Sequence, residues 1–392
     1  MKRKIHIFVP VTLGMLTAFG PFVTDFYLPV LPEMSEYFKA TPSAVSMSLT
    51  CGMVGLAAGQ VMIGPLTDKY GRKGLLVISM LLFALASIMC VLSPNILVFN
   101  AMRVFQGLAG AGGIVISKSM ATDMYEGADL TRFMAVLGAI NGIAPVFAPV
   151  IGGSVAGLAS WRGVFCLLLG VGLVLMVCSS FLRETLAPDR RMHAGLASVY
   201  GNLFRVFRNP VFSLSTFAIA ASFFTFFGYI SSSPFILQRS YGLSPFGFSL
   251  CYGVNAIMIV VGSALGATVR NQRKGLSRGA AVMLAASFFV AVCLLLHAPL
   301  PVLMCSYAAL MVGFGMIQPA STAIALDSER GNAGAASAIF GAAGFVGGAV
   351  SSPLVPLGDI AVTSGSIMVG GAVLGAVVIA VLGRRMKAEG IG

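Results

Sequence analysis

Long apolar runs recur along this sequence, and they constrain its fold more than any other feature. Each run is about 20 residues or longer, which is enough for an α-helix to cross a hydrocarbon core about 30 Å thick. Only 10% of the residues are charged, whereas a soluble domain carries about 25%. The sequence therefore predicts an all-α polytopic membrane protein. Twelve transmembrane helices are predicted, at residues 6–31, 43–66, 74–93, 95–118, 131–157, 161–183, 210–238, 244–269, 277–298, 300–325, 331–358 and 362–383.

Basic residues fall mainly on one side of the predicted membrane. With these spans, 21 of the 25 Lys and Arg residues lie on the side of the N-terminus, three (Lys39, Arg162, Arg239) lie on the other, and Arg103 lies within a span. The positive-inside rule then predicts that both termini lie in the cytoplasm. The net charge of +12 is thus topological, with some attraction to anionic membrane lipid, and no nucleic-acid partner is predicted. The first span is long and lacks a small-residue cleavage pattern, so we expect a retained helix.

The longest connection, residues 184–209, divides six predicted spans from six. The sequence thus predicts two pseudo-symmetric six-helix bundles, residues 1–183 and 210–392, joined by a cytoplasmic linker. Apolar and aromatic side chains at helical spacing within the linker predict a short helix in the membrane interface. They are Leu196, Val199, Tyr200, Leu203, Phe204 and Phe207.

The two halves also repeat weakly, as parallel transporter halves do. The cations at positions 69, 72 and 73 and the glycine at 74 recur 201 residues later, as Arg270, Arg273, Lys274 and Gly275. Two charged positions do not recur, because Asp68 corresponds to Val269 and Arg103 corresponds to Tyr307. The second half is therefore predicted to keep the scaffold and lose these charges.

A charged loop with the sequence GPLTDKYGRKG, at residues 64–74, joins the second and third spans. Its charges must lie at a membrane face, because charge in the hydrocarbon core is costly. One interpretation is a positive-inside anchor. The other is a gate at the cytoplasmic face in which Asp68 and Arg72 form the latch. The candidate gate residues of this loop are Gly64, Asp68, Gly71, Arg72 and Lys73.

Asp25 is the one acidic residue that we place well inside a predicted span. Burying a lone carboxylate is expensive, so such residues usually serve function. Arg103, at a similar depth in the fourth span, is its natural partner, since neither side chain suits lipid. The pair predicts a proton-coupling site, and the open alternative is that Asp25 only reaches periplasmic water.

The fifth span contains the run GAINGIAPVFAPVIGG at residues 138–153. Its glycines and prolines are expected to bend the helix and to let a neighbour approach closely. A kinked, tightly packed helix would explain the run without any role in transport. The candidate motif residues are Gly138, Gly142, Pro145, Pro149, Gly152 and Gly153.

Polar side chains scattered through the spans are candidates for lining a substrate cavity, and 21 Met residues suit a cavity that adapts to varied apolar ligands. The aromatic stripe of the seventh span is more typical of packing than of a pocket. The candidate substrate-binding residues are Tyr27, Gln60, Gln106, Asn141, Tyr229, Asn255, Tyr307 and Gln318.

Four motifs together resemble the Major Facilitator Superfamily, and within it the bicyclomycin-resistance (Bcr/CflA) type of drug:proton antiporter. They are residues 24–34 (TDFYLPVLPEM), residues 64–74, residues 103–113 (RVFQGLAGAGG) and the fifth-span run, which resembles the antiporter motif although Ala144 stands where the family often has Gly. The resemblance implies a bacterial cytoplasmic (inner) membrane protein that exports small, mostly apolar antibiotics, such as chloramphenicol-type or bicyclomycin-type compounds, in exchange for protons. It also implies a charge relay from Asp68 and Arg72 to Asp123 and Arg132, which are otherwise interpreted as solvated loop charge.

Two other functions stay open at this point. One is an exporter of an amino acid, sugar or other metabolite on the same fold, and the other is a non-transporting membrane sensor. The sequence shows no Walker loop, no Ser/His/Asp set and no metal cluster, so it predicts neither an enzyme nor ATP drive. We expect no metal and no cofactor, with protons as the coupling ion. The expected state is a monomer whose partners are a small-molecule drug, protons and membrane lipid.

Overall fold

A computed structural model describes residues 8–192, 200, 203–269, 271–329 and 332–388. The regular structure within these ranges is helical, so the prediction of an all-α membrane protein is confirmed. The helices are α1 (Phe8–Thr17), α2 (Phe19–Asp25), α3 (Leu31–Tyr37), α4 (Pro42–Tyr70), α5 (Arg72–Val91), α6 (Ile96–Met124), α7 (Gly127–Phe181), α8 (Pro210–Phe235), α9 (Pro245–Thr268), α10 (Gln272–Leu295), α11 (Leu300–Ser328), α12 (Ala333–Ser351) and α13 (Ile360–Ala388).

These helices are consistent with the twelve predicted spans. Within the described ranges, ten segments are long and apolar enough to cross a membrane when the bent α1–α3 segment is taken as one. α7 provides an eleventh, because non-helical backbone at Ala159 and at Ser160 (φ 57°) divides it into two arms. α6 is the twelfth, a 29-residue helix whose mean hydropathy is lowered by Arg103, Gln106 and Lys118.

The first span differs from the straight helix predicted at residues 6–31. It is bent by 45° between Thr17 and Phe19, and α2 ends at Asp25. Proline explains both positions, because its ring clashes with the carbonyl four residues earlier and its nitrogen has no hydrogen to donate. Pro21 stands four residues after Thr17, and Pro29 stands four residues after Asp25. Asp25 therefore lies at the end of a short helical segment, a setting that transporters often use for ion sites.

The described residues form two compact units, one within residues 1–27 and 51–202 and one within residues 28–50 and 203–392. This division differs from the predicted boundaries, because residues 28–50 pack within the second unit. Gln238 donates to the carbonyl of Pro29 at 2.9 Å, and the Thr50 hydroxyl lies 3.1 Å from the carbonyl of Ala349. The predicted interfacial helix lies partly outside the described residues, since Leu196 and Val199 are not among them. Of the rest of the linker, Phe204–Arg208 form a short 3₁₀ helix. Arg270 of the repeat is also outside the described residues.

Close helix contacts recur in the two units at glycine. In the first unit, a Cβ on Gly55 of α4 would stand 2.1 Å from the carbonyl oxygen of Val104 in α6. In the second, a Cβ on Gly262 of α9 would stand 2.2 Å from the carbonyl oxygen of Val312 in α11. Only hydrogen in place of a side chain lets these backbones approach so closely. In the first unit this contact lies next to Arg103.

Candidate functional site

Arg103 is enclosed in the first unit, with none of its surface exposed. Its Nη2 donates to the carbonyl of Val23, and its Nη1 donates to Oε1 of Gln106. The guanidinium carbon lies 4.3 Å from the centre of the Tyr27 ring, a cation–π contact. Nε has no hydrogen-bond partner among the described atoms. The guanidinium thus has one N–H group without a hydrogen-bond partner among the described atoms, in a place where an unpaired charge is expensive.

A chain of hydrogen bonds holds the other side of this site. Gln106 Nε2 donates to the hydroxyl oxygen of Ser87 at 2.7 Å, and that hydroxyl donates to the carbonyl of Phe83 at 2.7 Å. On α4, a Cβ at Gly52 would come within 2.9 Å of Nη2 of Arg103. The guanidinium is therefore fixed by α5 and α6 and has room only because position 52 carries no side chain.

Asp25 is also buried, at 4% relative exposure. The Thr24 hydroxyl lies 2.6 Å from its Oδ1 and can donate to it. Asp25 closes the short helix α2, and the carbonyl that accepts from Arg103 belongs to Val23, two residues earlier. The structure thus brings the predicted carboxylate and the predicted cation to one short stretch of the first unit.

The fifth-span motif contacts this stretch at one end. A Cβ on Gly152 would stand 1.8 Å from the carbonyl oxygen of Phe26, the residue after Asp25. By contrast, a Cβ on Gly138 or Gly142 would meet no described atom within 4 Å. The prediction that the glycines of this motif admit a close neighbour therefore fails at 138 and 142, because those positions face open space. Gly153 and Pro149 are buried and Pro145 is half-buried.

At the other end of the first unit, Arg72 joins two carboxylates. Its Nη1 lies 2.6 Å from Oδ1 of Asp68, four residues earlier and across the break at Gly71, and its Nε lies 3.1 Å from Oδ2 of Asp123. Nη1 also donates to the hydroxyl oxygen of Thr67 at 2.7 Å. The Arg72 side chain is 7% exposed, whereas those of Asp68 and Asp123 are 52% and 17% exposed. Because it is the better shielded pair, we expect Arg72–Asp123 to contribute more to stability.

Glu184 is a further member of this group that the sequence did not indicate. Its Oε1 accepts the backbone N–H of Arg72 at 3.0 Å, and its Oε2 accepts that of Lys73 at 3.2 Å. Burial alone would raise the pKa of Glu184, but the N–H groups of Leu186, Arg72, Lys73 and Thr185 outweigh it and leave the pKa below its ordinary value. One sequence feature could have indicated a distant cap. The residue before α5 is glycine, which has no side chain to accept the first N–H groups of the helix.

Two other predicted gate residues lie outside this network. Arg132 pairs with Asp129, three residues before it on α7, at 3.8 Å, and both side chains are more than three-quarters exposed. The predicted relay through Arg132 is therefore corrected to a local surface pair. Gly64 is half-buried on α4, and a Cβ there would lie 4.0 Å from Cγ1 of Val115 in α6.

The second unit holds a neutral cluster at its own buried centre. Asn255 Nδ2 donates to the hydroxyl oxygen of Tyr229 at 2.9 Å. The Tyr307 ring lies 4.7 Å from the Tyr229 ring, centre to centre, and the Tyr252 ring stacks with that of Tyr229 at 5.8 Å. The Tyr307 hydroxyl is buried without a hydrogen-bond partner in the described part of the chain.

The predicted substrate residues thus divide into groups. Tyr27 and Gln106 surround Arg103, and Tyr229, Asn255 and Tyr307 form the cluster of the second unit. The other three are separate: Gln60 is buried on α4, Asn141 is exposed on α7 and Gln318 is half-buried on α11. Among the described residues, no group of three or more His, Cys, Asp or Glu side chains is arranged to hold a metal ion.

Residues 13–352 match the family described as Major Facilitator Superfamily. The chain belongs to the Major Facilitator Superfamily. Membership agrees with the twelve helical spans and identifies the protein as a multi-span membrane transporter of this superfamily. The resemblance drawn from the four motifs is therefore confirmed at the level of the family.

Known superfamily members cover almost the whole chain. It is 34% identical over 373 residues to the uncharacterized MFS-type transporter YdgK of Bacillus subtilis, covering 93% of this chain and 92% of that protein. It is 27% identical over 363 residues to a bicyclomycin resistance protein homolog of Haemophilus influenzae, covering 90% of each. The fold matches that of a bacterial homolog of the human lysosomal transporter Spinster, solved in an inward-facing and unoccupied conformation. The TM-score is 0.77 at 16% identity, with 99% of each chain covered.

Proposed function

We propose that this superfamily member exports small, mostly apolar antibiotics or drugs in exchange for protons, and that Asp25 carries the proton. The observation that supports this most directly is the burial of Asp25 beside Val23, whose carbonyl binds the enclosed cation Arg103. A carboxylate kept from water in a membrane helix is rarely structural. The similarity to a bicyclomycin resistance protein homolog supports drugs as the substrate class.

Arg103 is proposed to regulate the charge of Asp25. A nearby cation favours the ionised carboxylate, and removal from water favours the neutral one. Protonation of Asp25 removes an anion from the surroundings of Arg103, whose Nε already lacks a partner among the described atoms. The packing of α2 against α6 then differs between the protonated and ionised states, which links proton binding to a change of conformation.

Exchange follows if drug and proton favour opposite charge states of Asp25. A drug that enters the first unit's site would alter the contacts of the pair and promote proton loss. Reciprocity then requires that low pH on the periplasmic side promote drug release. With one interior carboxylate, we expect no more than one proton per cycle unless Glu33, in the first turn of α3, also titrates.

The Arg72 group is proposed to be the cytoplasmic gate. Asp68 is half exposed and Arg72 is shielded, so the pair can break at modest cost when the conformation changes. This placement requires both termini in the cytoplasm, as the distribution of basic residues predicts. A cysteine at Lys39 but not one at Lys73 should then react with an impermeant reagent added from the periplasm.

The test is drug-induced proton release from purified protein in detergent, with chloramphenicol as the probe. We expect release from the wild type and none from Asp25→Asn, because the amide cannot give up a proton. Asp359→Asn is the matched control, since Asp359 is an exposed carboxylate that accepts the N–H groups of Ala361 and Val362. The control should release protons as the wild type does.

The contrary outcomes are distinct. Release from Asp25→Asn equal to that of the wild type would move the coupling site elsewhere. Release triggered by amino acids or sugars but not by apolar drugs would favour a metabolite exporter. Flux of drug in proteoliposomes without any proton release would leave an uncoupled transporter, and the absence of any flux would favour a sensor.

A further inference from the structure

Helix α5 begins without a cap of its own. Gly71 precedes it with φ 99°, and no side chain of residue 71 can accept from the first turn. The first N–H groups of a helix have no partner within it, so they must be satisfied from elsewhere. Here the two oxygens of Glu184, more than 100 residues later in the chain, accept the N–H groups of Arg72 and Lys73. A carboxylate is favoured at this position because the helix N-terminus carries partial positive charge.

Position 71 is shaped around this carboxylate. A Cβ there would stand 2.6 Å from Oε2 of Glu184 and 3.1 Å from Nη2 of Arg191. The positive φ independently disfavours any residue other than glycine. Gly71 therefore serves both the turn and the approach of Glu184.

The residues that follow Glu184 attach to the same group at two further points. We name residues 184–192 the strap. The hydroxyl of Thr185 donates to Oδ2 of Asp123 at 2.9 Å, and the N–H of Met192 donates to the carbonyl of Asp68 at 2.9 Å. The strap thus contacts both acidic residues that pair with Arg72, at the carboxylate of Asp123 and at the backbone carbonyl of Asp68.

The corresponding helix of the second unit is built differently. α10 has a local cap, because Oδ1 of Asn271 accepts the N–H of Lys274 at 2.8 Å. Capping of this first turn therefore needs no distant residue. The distant carboxylate occurs in the unit whose loop carries Asp68, and its partner N–H belongs to Arg72 itself.

We propose that Glu184 is a positioning residue of the cytoplasmic gate, holding the first turn of α5 so that the Arg72 guanidinium stays between Asp68 and Asp123. This inference rests on the proposed function in one respect, because the gate is assumed to control turnover. Glu184 does not contact the drug or the proton site in this arrangement. Its loss should therefore slow the conformational change and leave drug binding intact.

The experiment compares Glu184→Ala and Glu184→Gln with Asn271→Ala, the matched cap variant of the second unit. Hydrogen exchange is measured on the full-length protein in detergent. We expect the amides of Arg72 and Lys73 to exchange about tenfold faster in Glu184→Ala, since hydrogen bonds to charged groups are the stronger ones. Asn271→Ala should change exchange at Lys274 only. Glu184→Gln, which keeps one acceptor oxygen, covers the case in which the alanine variant does not fold.

Transport in proteoliposomes gives the second measurement, again with chloramphenicol. The turnover of the Glu184 variants should fall at least about fivefold while KM stays within about twofold of the wild type, a pattern that general destabilisation does not produce. Unchanged exchange at Arg72 and Lys73, or unchanged turnover, would overturn the proposal. If the wild type moves no chloramphenicol, the proposed function fails on its own, and the exchange measurement still decides whether Glu184 holds the first turn of α5.

Discussion

The buried centres of the two units use corresponding positions for different chemistry. In the first unit the Arg103 guanidinium lies 4.3 Å from the centre of the Tyr27 ring. In the second, the Tyr307 ring lies 4.7 Å from that of Tyr229. Tyr307 follows Arg103 by 204 positions and Tyr229 follows Tyr27 by 202, so one aromatic partner recurs while the cation becomes a phenol.

The surrounding hydrogen bonds show the same relation. The hydroxyls of Ser87 and Ser287 each donate to the carbonyl four residues earlier, at 2.7 Å in both. Only Ser87 also accepts from a glutamine, Gln106, which in turn accepts from Arg103. The units therefore share a scaffold, and one of them adds a buried charge with the polar groups that it requires. This difference supports placing proton chemistry in the first unit.

Of the substitutions that test this comparison, Arg103→Ala should have the largest effect on transport, with complete loss of proton-driven drug accumulation. Arg103→Lys should restore it only in part, because an ammonium lacks the planar fork that reaches Val23 and Gln106 together. Accumulation is measured in everted vesicles at equal protein levels.

The matched change in the second unit is Tyr307→Phe. Its hydroxyl has no hydrogen-bond partner in the described structure, so removal should be neutral or slightly stabilising, and accumulation should persist. If Tyr307→Phe abolished accumulation as fully as Arg103→Ala while drug binding stayed intact, the assignment of coupling to one unit would be wrong.

Asp68→Asn should have an intermediate effect, since position 68 is the second charged site that the repeat does not keep. Asp68 is half exposed, so we expect the free energy of unfolding to change by less than about 1 kcal/mol. Turnover should nevertheless fall, with drug affinity retained, because the latch is weakened. Asp129→Asn, an exposed carboxylate in an ion pair with Arg132, is the control. Unchanged turnover in Asp68→Asn would reduce the loop to a topological anchor.

The last comparison concerns stability rather than transport, and it separates two glycines of α7. Gly152→Ala should destabilise the protein by about 1–3 kcal/mol, because its Cβ would overlap the carbonyl of Phe26. Gly142→Ala should stabilise it by up to about 1 kcal/mol, since the position is open and alanine is the better helix former.

Gly347→Ala tests whether this effect is special to the first unit. Its Cβ would stand 2.1 Å from the carbonyl of Ala220, so a similar loss of thermal stability is expected, without any change in proton release. Equal proton release from all three variants would show that contact with Phe26 is only structural.

Local features of this molecule were accessible from its sequence. The helices follow from apolar runs, and the Asp68–Arg72 contact joins residues only four apart in a short connection between two helices. The breaks after Thr17 and Asp25 were equally accessible through Pro21 and Pro29, although the sequence prediction treated the span as continuous. In each case the cause and the effect lie within a few residues of one another.

Features that depend on distant residues were not accessible in the same way. Nothing near Glu184 in the sequence indicates that its carboxylate meets Arg72, 112 positions earlier. Arg132 shows the opposite error. A relay to distant residues was predicted for it, but its partner is Asp129, three residues earlier on the same helix. Likewise, the run of glycines in α7 does not reveal which of them faces a neighbour. These outcomes depend on how helices are oriented, which no local pattern records.

The strap has a consequence for where this chain can be divided. By its contacts it belongs to the first unit, so a version expressed as two polypeptides should be cut downstream of Met192. A cut before Glu184 would transfer the strap to the second fragment, and the first turn of α5 would then depend on an intermolecular contact for its carboxylate. The covalent connection between the halves is thus shorter than the sequence suggests, because its first residues serve as part of a folded unit.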